Sequence, residues 1–364
     1  MNNRKIRVAI THGDTNGIGY ELIFKTFAVP EMLELCTPIV YGSPKIAAYH
    51  RKALDMQANF SIINTADEAQ EGRINLLTCF DDEVKVDIGV STEESAQAAV
   101  RALDRAMTDY REGLYDVLVS APICAGNIKV GHLAFKNLAN YLQTCFGEGR
   151  EALTVFTNDF MRVALVGNDL SIKEAINSVT EAHIIGKATT LFQAIKRDFR
   201  ITDPRIAVLS LNPKVDGDEE KNIIAPAVAK LYEAGVNAFG PYVVEDFFGT
   251  DQYNSFDAVL AMYYDQAILP FRTLTLEDGV CSIVNLPLVC TATNCGPEFS
   301  KAGRGIADES AFRQAIYLAI DTYRNRIMYD EPMANPLPKL YHERREERDK
   351  NRFNTPKQRQ EKGA

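Results

Sequence analysis

Residues 7–27 read RVAITHGDTNGIGYELIFKTF, and this stretch contains the strand, loop and helix from which the fold is predicted. The apolar run 6–11 has the composition of a short buried strand, and a glycine-rich loop follows it directly. Glycines between a strand and a helix allow the backbone to approach an anion at the helix N-terminus. Their spacing differs from the G-x-G-x-x-G dinucleotide fingerprint. The loop is therefore either an anion-binding turn or simply a tight turn.

The same alternation of apolar runs and helical patterns continues to about residue 325. Further strands are predicted at 38–41, 116–120, 153–157, 162–166, 205–211, 258–262 and 281–285. These runs are rich in Val, Ile and Leu and do not alternate strictly, as in a sheet that is buried on both faces. Strands that alternate with helices predict an α/β protein with an open sheet.

Two helices have clear sequence signals. Ser91 and Glu94 form a capping-box pattern, so a helix is predicted to begin at Ser91 and to end before Gly113. A second helix is predicted from near Asp308. Their inward faces are expected to carry Ala96, Val100, Leu103 and Met107 in the first helix, and Phe312, Ile316 and Ala319 in the second.

Composition limits the class of protein. The net charge is −9, and residues 339–364 carry nine basic and five acidic side chains, so the rest of the chain is more acidic still. This balance argues against nucleic-acid binding by the body. No apolar run is long enough for a membrane span or a signal peptide. Seven scattered cysteines without C-x-x-C spacing predict thiols in a reducing compartment, hence a cytoplasmic protein.

Three later loops are candidates for chemistry because ligands of open α/β sheets bind at the carboxyl ends of strands. They are residues 210–218, 262–266 and 294–308. Asp265 in the second loop is a metal ligand, a base or a helix cap. The glycines of the third loop either wrap a nucleotide or form a plain connection. None of the five histidines lies in the first two of these loops, so no Ser-His-Asp set can be assembled.

Taken together, the loops resemble the 4-hydroxythreonine-4-phosphate dehydrogenase (PdxA) family over about residues 4–328. The matching motifs are Gly13-Asp14 with Gly17-Ile18-Gly19, Ser120-Ala121-Pro122, Leu211-Asn212-Pro213, Gly240-Pro241-Tyr242, Ala261-Met262-Tyr263 with Asp265-Gln266, and Ala302-Gly303. The resemblance implies a two-lobed fold like that of isocitrate and isopropylmalate dehydrogenases, with a central cleft. It also implies a homodimer, NAD(P), and a divalent metal held by three histidines.

At the three positions that the resemblance assigns to the metal histidines, this chain has Asn168, Lys214 and Tyr264. Asn is a weak neutral ligand, Tyr is ordinarily protonated at neutral pH, and a Lys ammonium repels a dication. We therefore expect no divalent metal. Lys214, Tyr264 and Asp265 are instead candidate acid–base groups.

The substrate and cofactor positions implied by the resemblance are altered as well. The family's Gly-His-Thr-Glu motif corresponds to Asn137-Leu138-Ala139-Asn140, and its phosphate-side lysine corresponds to Arg272. Cys281 and Cys290 replace an asparagine and an arginine. Gly296 and Gly303 belong to the nucleotide loop, where Pro297 removes an N–H and Glu298 adds negative charge, so NAD(P) binding is expected to be weak.

Three functions remain open at this point. The first is a non-catalytic family member that binds a metabolite or pairs with a complete family enzyme. The second is a metal-independent enzyme that acts on a small anionic metabolite, held by Lys214 and Arg272. The third is the family dehydrogenase itself. The predicted domains are a larger lobe (1–120 plus 285–330), a smaller lobe that carries the dimer interface (121–284) and a charged tail (331–364).

Overall fold

A computed structural model of the chain describes residues 4–80, 84–124, 129–130, 133–134, 136–168, 170–274 and 279–336. Within these residues the strands are β1 (Arg7–Thr11), β2 (Thr37–Gly42), β3 (Phe60–Ile63), β4 (Ile74–Thr78), β5 (Val117–Ser120), β6 (Lys129–Val130), β7 (Leu133–Ala134), β8 (Leu153–Thr157), β9 (Arg162–Gly167), β10 (Ile206–Leu209), β11 (Ala238–Tyr242), β12 (Ala258–Tyr263), β13 (Val280–Val284) and β14 (Val289–Thr293). All eight strands predicted from the sequence are present.

The helices of the described residues are α1 (Gly19–Phe27), α2 (Pro30–Leu35), α3 (Pro44–Ala53), α4 (Glu93–Arg111), α5 (Leu138–Phe146), α6 (Ile172–Ser178), α7 (Glu181–Asp198), α8 (Ala225–Glu233), α9 (Val244–Gly249), α10 (Tyr264–Leu274) and α11 (Ser310–Ala334). Strands and helices alternate along most of the chain. The predicted α/β class is confirmed.

Twelve of the described strands form one sheet, in the order β11-β10-β12-β9-β8-β13-β14-β5-β1-β2-β4-β3. Neighbouring strands are parallel except where β8 pairs with β9 and β13, and where β13 pairs with β14. The sheet therefore contains two parallel groups that run in opposite directions. The first group is β14-β5-β1-β2-β4-β3, the second is β11-β10-β12-β9, and the antiparallel strands β8 and β13 join them.

Each parallel group has helices on both faces. Apolar side chains of α1, α3 and α11 pack on one face of the first group, and those of α4 pack on the other. Helices α7 and α8 cover one face of the second group, and α9 and α10 cover the other. This two-sided burial explains why the strands read as continuous apolar runs. The predicted larger lobe supplies the first group and the predicted smaller lobe the second, while the division into lobes stays a prediction.

Two predicted helix boundaries need correction. Helix α4 begins one residue later than predicted: Thr92 is the N-cap, its side chain accepts the Ser95 amide, and the capping box involves Ser95 and not Glu94. The inward residues were predicted correctly, since Ala96 and Leu103 are fully buried. Helix α11 begins at Ser310, whose amide donates to Asp308 Oδ1 at 2.7 Å, so Asp308 precedes the helix.

The chain divides into two compact units, up to Arg326 and from Ile327 onward. Helix α11 contains Pro332 and continues to Ala334, so it extends into the predicted charged tail. Residues 337–364, most of the predicted charged tail, lie outside the described residues. No disulfide joins the seven cysteines. None of the described helices is both long enough and apolar enough to cross a membrane.

Candidate functional site

Three neighbouring parallel strands end at the same edge of the sheet. Strand β12 lies between β9 and β10 and is parallel to both. Asn168 follows β9, Tyr264 follows β12, and Lys214 lies in the loop after β10. The topology thus brings the three positions that the sequence assigned to metal histidines to one edge, as expected for ligand-binding loops of an open sheet.

Two buried side chains hold the loops at this edge. Gln266 accepts the Met262 amide at 2.8 Å and donates to the Ser210 carbonyl, so it ties the end of β12 to the end of β10. Glu220 Oε1 accepts the amides of Leu211 and Asn212 at 2.9 and 2.8 Å. Burial opposes the charge of Glu220, yet the hydrogen bonds from Asn212 and Leu211 lower its pKa below the ordinary value. The loop that carries Lys214 is therefore anchored by an ionised carboxylate.

A pocket of about 220 Å³ lies over the central strands, where the two parallel groups meet. We call it the cleft pocket. Its lining consists of Ser120, Ala121, Pro122, Ile123, Asn137, Leu138, Ala139, Thr154, Phe156, Asn168, Tyr264, Cys281, Ile283, Ala292, Thr293 and Cys295. None of these described lining residues is acidic, basic or a histidine. Its described lining can therefore offer apolar contact and neutral hydrogen bonds. A neighbouring pocket of about 620 Å³ shares Asn137, Ala139, Thr154 and Asn168 with it, and the lining of that pocket includes charged side chains such as those of Lys136 and Lys187.

Five of the residues predicted from the sequence come together in the cleft pocket. They are Leu138, Ala139, Asn168, Tyr264 and Cys281. Tyr264 also borders an adjacent pocket of about 280 Å³, whose lining includes Asp265. Tyr264 and Asp265 are thus neighbours at the start of α10.

The other predicted substrate residues lie outside the lining. Lys214 is exposed. Cys290 is 1% exposed and packs in the core, so its position offers no contact with the cleft pocket. Arg272 is exposed, and its guanidinium donates to the carbonyl of Asn294, directly before the lining residue Cys295. Arg272 therefore lies at the rim of the pocket, and its pairing with Lys214 in one anion site stays a prediction.

The predicted nucleotide loop packs against the first glycine loop. The Ile18 amide donates to the Pro297 carbonyl at 3.1 Å, and a Cβ on Gly17 would lie 2.9 Å from Pro297 Cβ. Gly303 has φ +72° and faces Ile88, whereas a Cβ on Gly296 would meet no atom within 4 Å. The amides of Asp14, Gly17 and Ile18 in this loop thus donate to protein acceptors. These bonds support the tight-turn interpretation of residues 13–19.

The donor set at the family's metal positions does not fit a divalent metal. An amide, a phenol and an exposed ammonium are poor or repulsive donors. Asp169, beside Asn168, lies outside the described residues. Within the described part of the chain, no three His, Cys, Asp or Glu side chains are grouped so that they could hold a metal ion.

Sequence reasoning missed part of the site. Thr154 and Phe156 on β8 and Ala292 on β14 line the cleft pocket, as does Cys295. The period-two spacing of Thr154 and Phe156 is a signal that these side chains share one face of their strand. The anchoring roles of Glu220 and Gln266 had no such signal, because each depends on a contact with a different loop.

Fold and site together define a class: an open α/β-sheet protein with a ligand pocket at strand ends. A family model described as pyridoxal phosphate biosynthetic protein PdxA matches residues 34–319. The chain is 47% identical over 360 residues to a 4-hydroxythreonine-4-phosphate dehydrogenase of Bacteroides thetaiotaomicron, with 98% of this chain and 99% of that protein covered. This chain belongs to the PdxA family.

Solved structures agree with this assignment. A 4-hydroxythreonine-4-phosphate dehydrogenase from Burkholderia phymatum matches with a TM-score of 0.70 and 26% identity, covering 88% of this chain and 99% of that one. The enzyme of the same name from Klebsiella pneumoniae matches with a TM-score of 0.73 and 24% identity, covering 88% and 100%. The second likeness concerns the fold alone.

Proposed function

We propose that this chain is a PdxA-family protein that keeps the cleft as a ligand-binding pocket and has lost metal-assisted dehydrogenation. The observation that carries the proposal is the composition of the cleft pocket, whose described lining has no ionised side chain. Leu138 and Ala139 stand where the resemblance implies His and Thr. The chain thus keeps the fold of the family but not the side chains of its reaction.

The lost chemistry can be stated in terms of groups. Oxidation of a hydroxyl group by a nicotinamide cofactor needs a base near the hydroxyl, and decarboxylation needs stabilisation of the developing negative charge. The cleft pocket offers amides, hydroxyls, a phenol and thiols. Burial raises the pKa of the Cys295 thiol, which favours its neutral form. The proposed function is therefore binding, with weak affinity for NAD(P) and none for a divalent metal.

The ligand that this site favours has a compact, partly apolar body and one anionic group. The body fits the uncharged lining, and the anionic group meets Arg272 at the rim. Arg272 lies close enough to Cys295 for its charge to act on the pKa of that thiol. A guanidinium can form two parallel hydrogen bonds with a phosphate or carboxylate group. The placement of Arg272 also supports the alternative function, a metal-independent enzyme that acts on a small anionic metabolite. In that enzyme, Tyr264 and Asp265 would be the acid–base groups.

A second candidate function is the family reaction itself. The 47% identity to the Bacteroides thetaiotaomicron 4-hydroxythreonine-4-phosphate dehydrogenase favours it. If this chain carries out that reaction, its own residues supply proton transfer through Tyr264 or Asp265, and NAD(P) accepts the hydride. The two candidate functions predict different turnover of 4-hydroxythreonine 4-phosphate, so one experiment distinguishes them.

The experiment compares this chain with the Bacteroides thetaiotaomicron relative, using 4-hydroxythreonine 4-phosphate, NAD(P) and added Mg²⁺ or Zn²⁺. We expect the phosphate ester to raise the melting temperature of this chain without NAD(P)H formation. The Arg272→Ala variant should lose that stabilisation, and Lys214→Ala should keep it as a matched control. Turnover at an ordinary enzymatic rate, about 1–10³ s⁻¹, would refute the proposal and establish the dehydrogenase.

We also propose a homodimer in which residues 121–284 supply the interface. Support comes from α6, where Ile172 and Ile176 lie on one face and are 65% and 46% exposed, with Leu170 beside them at 42%. Pairing with a catalytically complete family member through the same face is the second possibility. The cytoplasmic location stays a prediction from cysteine usage.

A further inference from the structure

Three aromatic side-chain rings stack against one another at the loop of residues 12–19. The ring of Tyr20 lies between those of His12 and His50, with centroid distances of 5.4 and 5.2 Å and interplanar angles of 8° and 26°. All three side chains are at most 1% exposed. Phe80 meets the His12 ring edge-on at 6.1 Å. We call His12, Tyr20 and His50 the histidine stack.

His12 is an unusual core residue. Neither ring nitrogen has a hydrogen-bond partner of ordinary geometry among the described residues, and the backbone of the adjacent Gly13 offsets only part of the effect of burial on the pKa of the ring. A buried polar group without a partner costs free energy, and a buried unpaired charge costs far more. The space beside the rings is filled, since a Cβ on Gly42 would lie 2.4 Å from Tyr20 Oη and 3.1 Å from His12 Cδ2. The ring is therefore tolerated only while it is neutral.

His50 connects the stack to the loop. Its Nε2 lies 2.7 Å from the Thr15 carbonyl, and the side chain is 1% exposed. A backbone carbonyl can only accept, so Nε2 carries the proton and the neutral ring is satisfied by this bond. Protonation would add a second buried N–H and a charge beside His12.

Titratable groups around the stack come from several elements. Burial lowers the pKa of His12 to about 4. Burial also lowers the pKa of His50, against the opposing effects of its hydrogen bond to the Thr15 carbonyl and of Glu21 on α1. Glu21 is itself paired with Lys25 at 2.9 Å. Burial raises the pKa of Asp14 in the loop, and burial raises the pKa of Cys79, after β4, to about 12. The effect of Asp14 on the pH dependence of stability is opposite to that of the histidines, because the folded state favours the protonated form of its carboxyl group.

The loop also forms part of the support of the cleft pocket. The Asp14 amide donates to the Pro122 carbonyl at 2.9 Å, and the Ile18 amide donates to the Pro297 carbonyl. Gly13, with φ +73°, lies against the same Pro122 carbonyl, where a Cβ would come within 2.3 Å. Pro122 lines the pocket, and so does Cys295, two residues before Pro297.

We propose that the histidine stack is an acid-sensitive switch: protonation of His12 and His50 releases the loop 12–19 and loosens the wall of the cleft pocket that Ala121 and Pro122 form. The charged rings cannot remain in this packing, so they leave it together with the loop that His50 holds. The switch depends on the described packing alone and is independent of the ligand that the pocket takes.

The direction of the pH dependence follows from proton binding. Because the folded state keeps both histidines neutral, the unfolded or opened state binds more protons below pH 6.5. The stabilising effect of neutral histidines is complete above the unfolded pKa of about 6.5. It is lost as the pH falls from there toward the folded pKa of His12, about 4. Within this window His12 should change the opening equilibrium about tenfold per pH unit, and His50, whose pKa burial also lowers, should act in the same direction.

The test measures urea unfolding of the full chain from pH 7.5 to 4.5, with hydrogen exchange of the Asp14 and Ile18 amides as the local readout. We expect the unfolding constant of the parent to rise up to about a hundredfold per pH unit below pH 6.5, through two protons. His12→Phe keeps a flat ring and should reduce this slope by about tenfold per unit, as should His50→Gln. His183→Gln, at an exposed histidine, is the matched control and should leave the slope unchanged.

A second measurement applies if the variants do not fold. In the parent protein, the NMR signals of His12 followed from pH 7.5 to 5.5 should show no titration, with exchange at Asp14 and Ile18 rising as the pH falls. A His12 signal that titrates near its ordinary pKa while those amides stay protected would overturn the proposal. Equal slopes for His12→Phe, His50→Gln and the parent would overturn it as well.

Discussion

Among the described residues, Arg326 is a clear case of a buried charge with a full set of partners. Its Nε and Nη2 meet the two Asp198 carboxylate oxygens at 2.7 and 2.9 Å, and Nη1 donates to the carbonyls of Leu286 and Pro287. The two side chains are 7% and 2% exposed. One guanidinium therefore connects α11, the end of α7 and the turn between β13 and β14.

The Arg326→Met variant should lose about 3–5 kcal/mol of unfolding free energy, because Asp198 would keep a buried charge without its partner. Arg324 on the same helix is the matched control. Its ion pair with Asp321 spans 3.8 Å and is exposed at both side chains, so Arg324→Met should cost less than about 1 kcal/mol. Urea unfolding measures both. Similar losses for the two variants would contradict the view that burial determines the strength of these pairs.

At the scale of elements, local hydrogen bonds decide where helices begin. Helix α4 starts after Thr92 because Thr92 Oγ1 accepts the Ser95 amide at 3.1 Å. The same oxygen accepts Asn16 Nδ2 at 3.2 Å from the first glycine loop. Ser91, which the sequence favoured as the cap, instead donates to Cys124 Sγ at 3.4 Å. A tertiary contact from another loop thus moves the helix start by one residue.

The Thr92→Ala variant should lose about 1–2 kcal/mol of stability, since it removes the cap acceptor and the contact with Asn16. Thr92→Ser keeps a hydroxyl at the same place and should retain most of that stability. Ser91→Ala is the matched control and should change stability by less than about 0.5 kcal/mol. Thermal and urea unfolding compare the three. A larger loss for Ser91→Ala than for Thr92→Ala would restore the cap predicted from sequence.

At the scale of the whole molecule, the sheet consists of two parallel groups of opposite direction. The cleft pocket lies over the strands that join them, so residues from β5, β8, β13 and β14 contribute to one lining. The anchoring by Gln266 and Glu220 belongs to the second group, and the histidine stack belongs to the first. The apolar face of α6 lies within the segment that was predicted to form the dimer interface.

Light scattering at micromolar concentration should give about 81 kDa, twice the 40.5 kDa of one chain. Replacing Ile172 and Ile176 together with Asp should shift the mass to that of the monomer, because two desolvated carboxylates would oppose the interface. Ile62→Asp changes a 60% exposed side chain on β3, in the other parallel group, and serves as the control. A stable monomer for the parent chain would refute the proposed homodimer.

The sequence by itself determined which segments form strands and helices and which faces are buried. Apolar runs such as 153–157 and the spacing of Ala96, Val100 and Leu103 depend on neighbours along the chain, so the sequence contains their signal. Family membership was also readable, because motifs such as Leu211-Asn212-Pro213 keep their order and spacing. Strands β3, β4, β6, β7, β11 and β14 were missed, since their runs are short or are interrupted by polar residues or a proline.

Only the tertiary structure decided what the site contains. It buried Cys290 and brought Thr154, Phe156 and Cys295 into one lining. It also placed His12 and His50 on the two sides of Tyr20, although His50 lies 38 positions from His12 in the chain. The number of positions between two such residues along the chain does not determine their distance in the fold. These contacts are determined by the order and direction of strands in the sheet, which local sequence patterns do not encode.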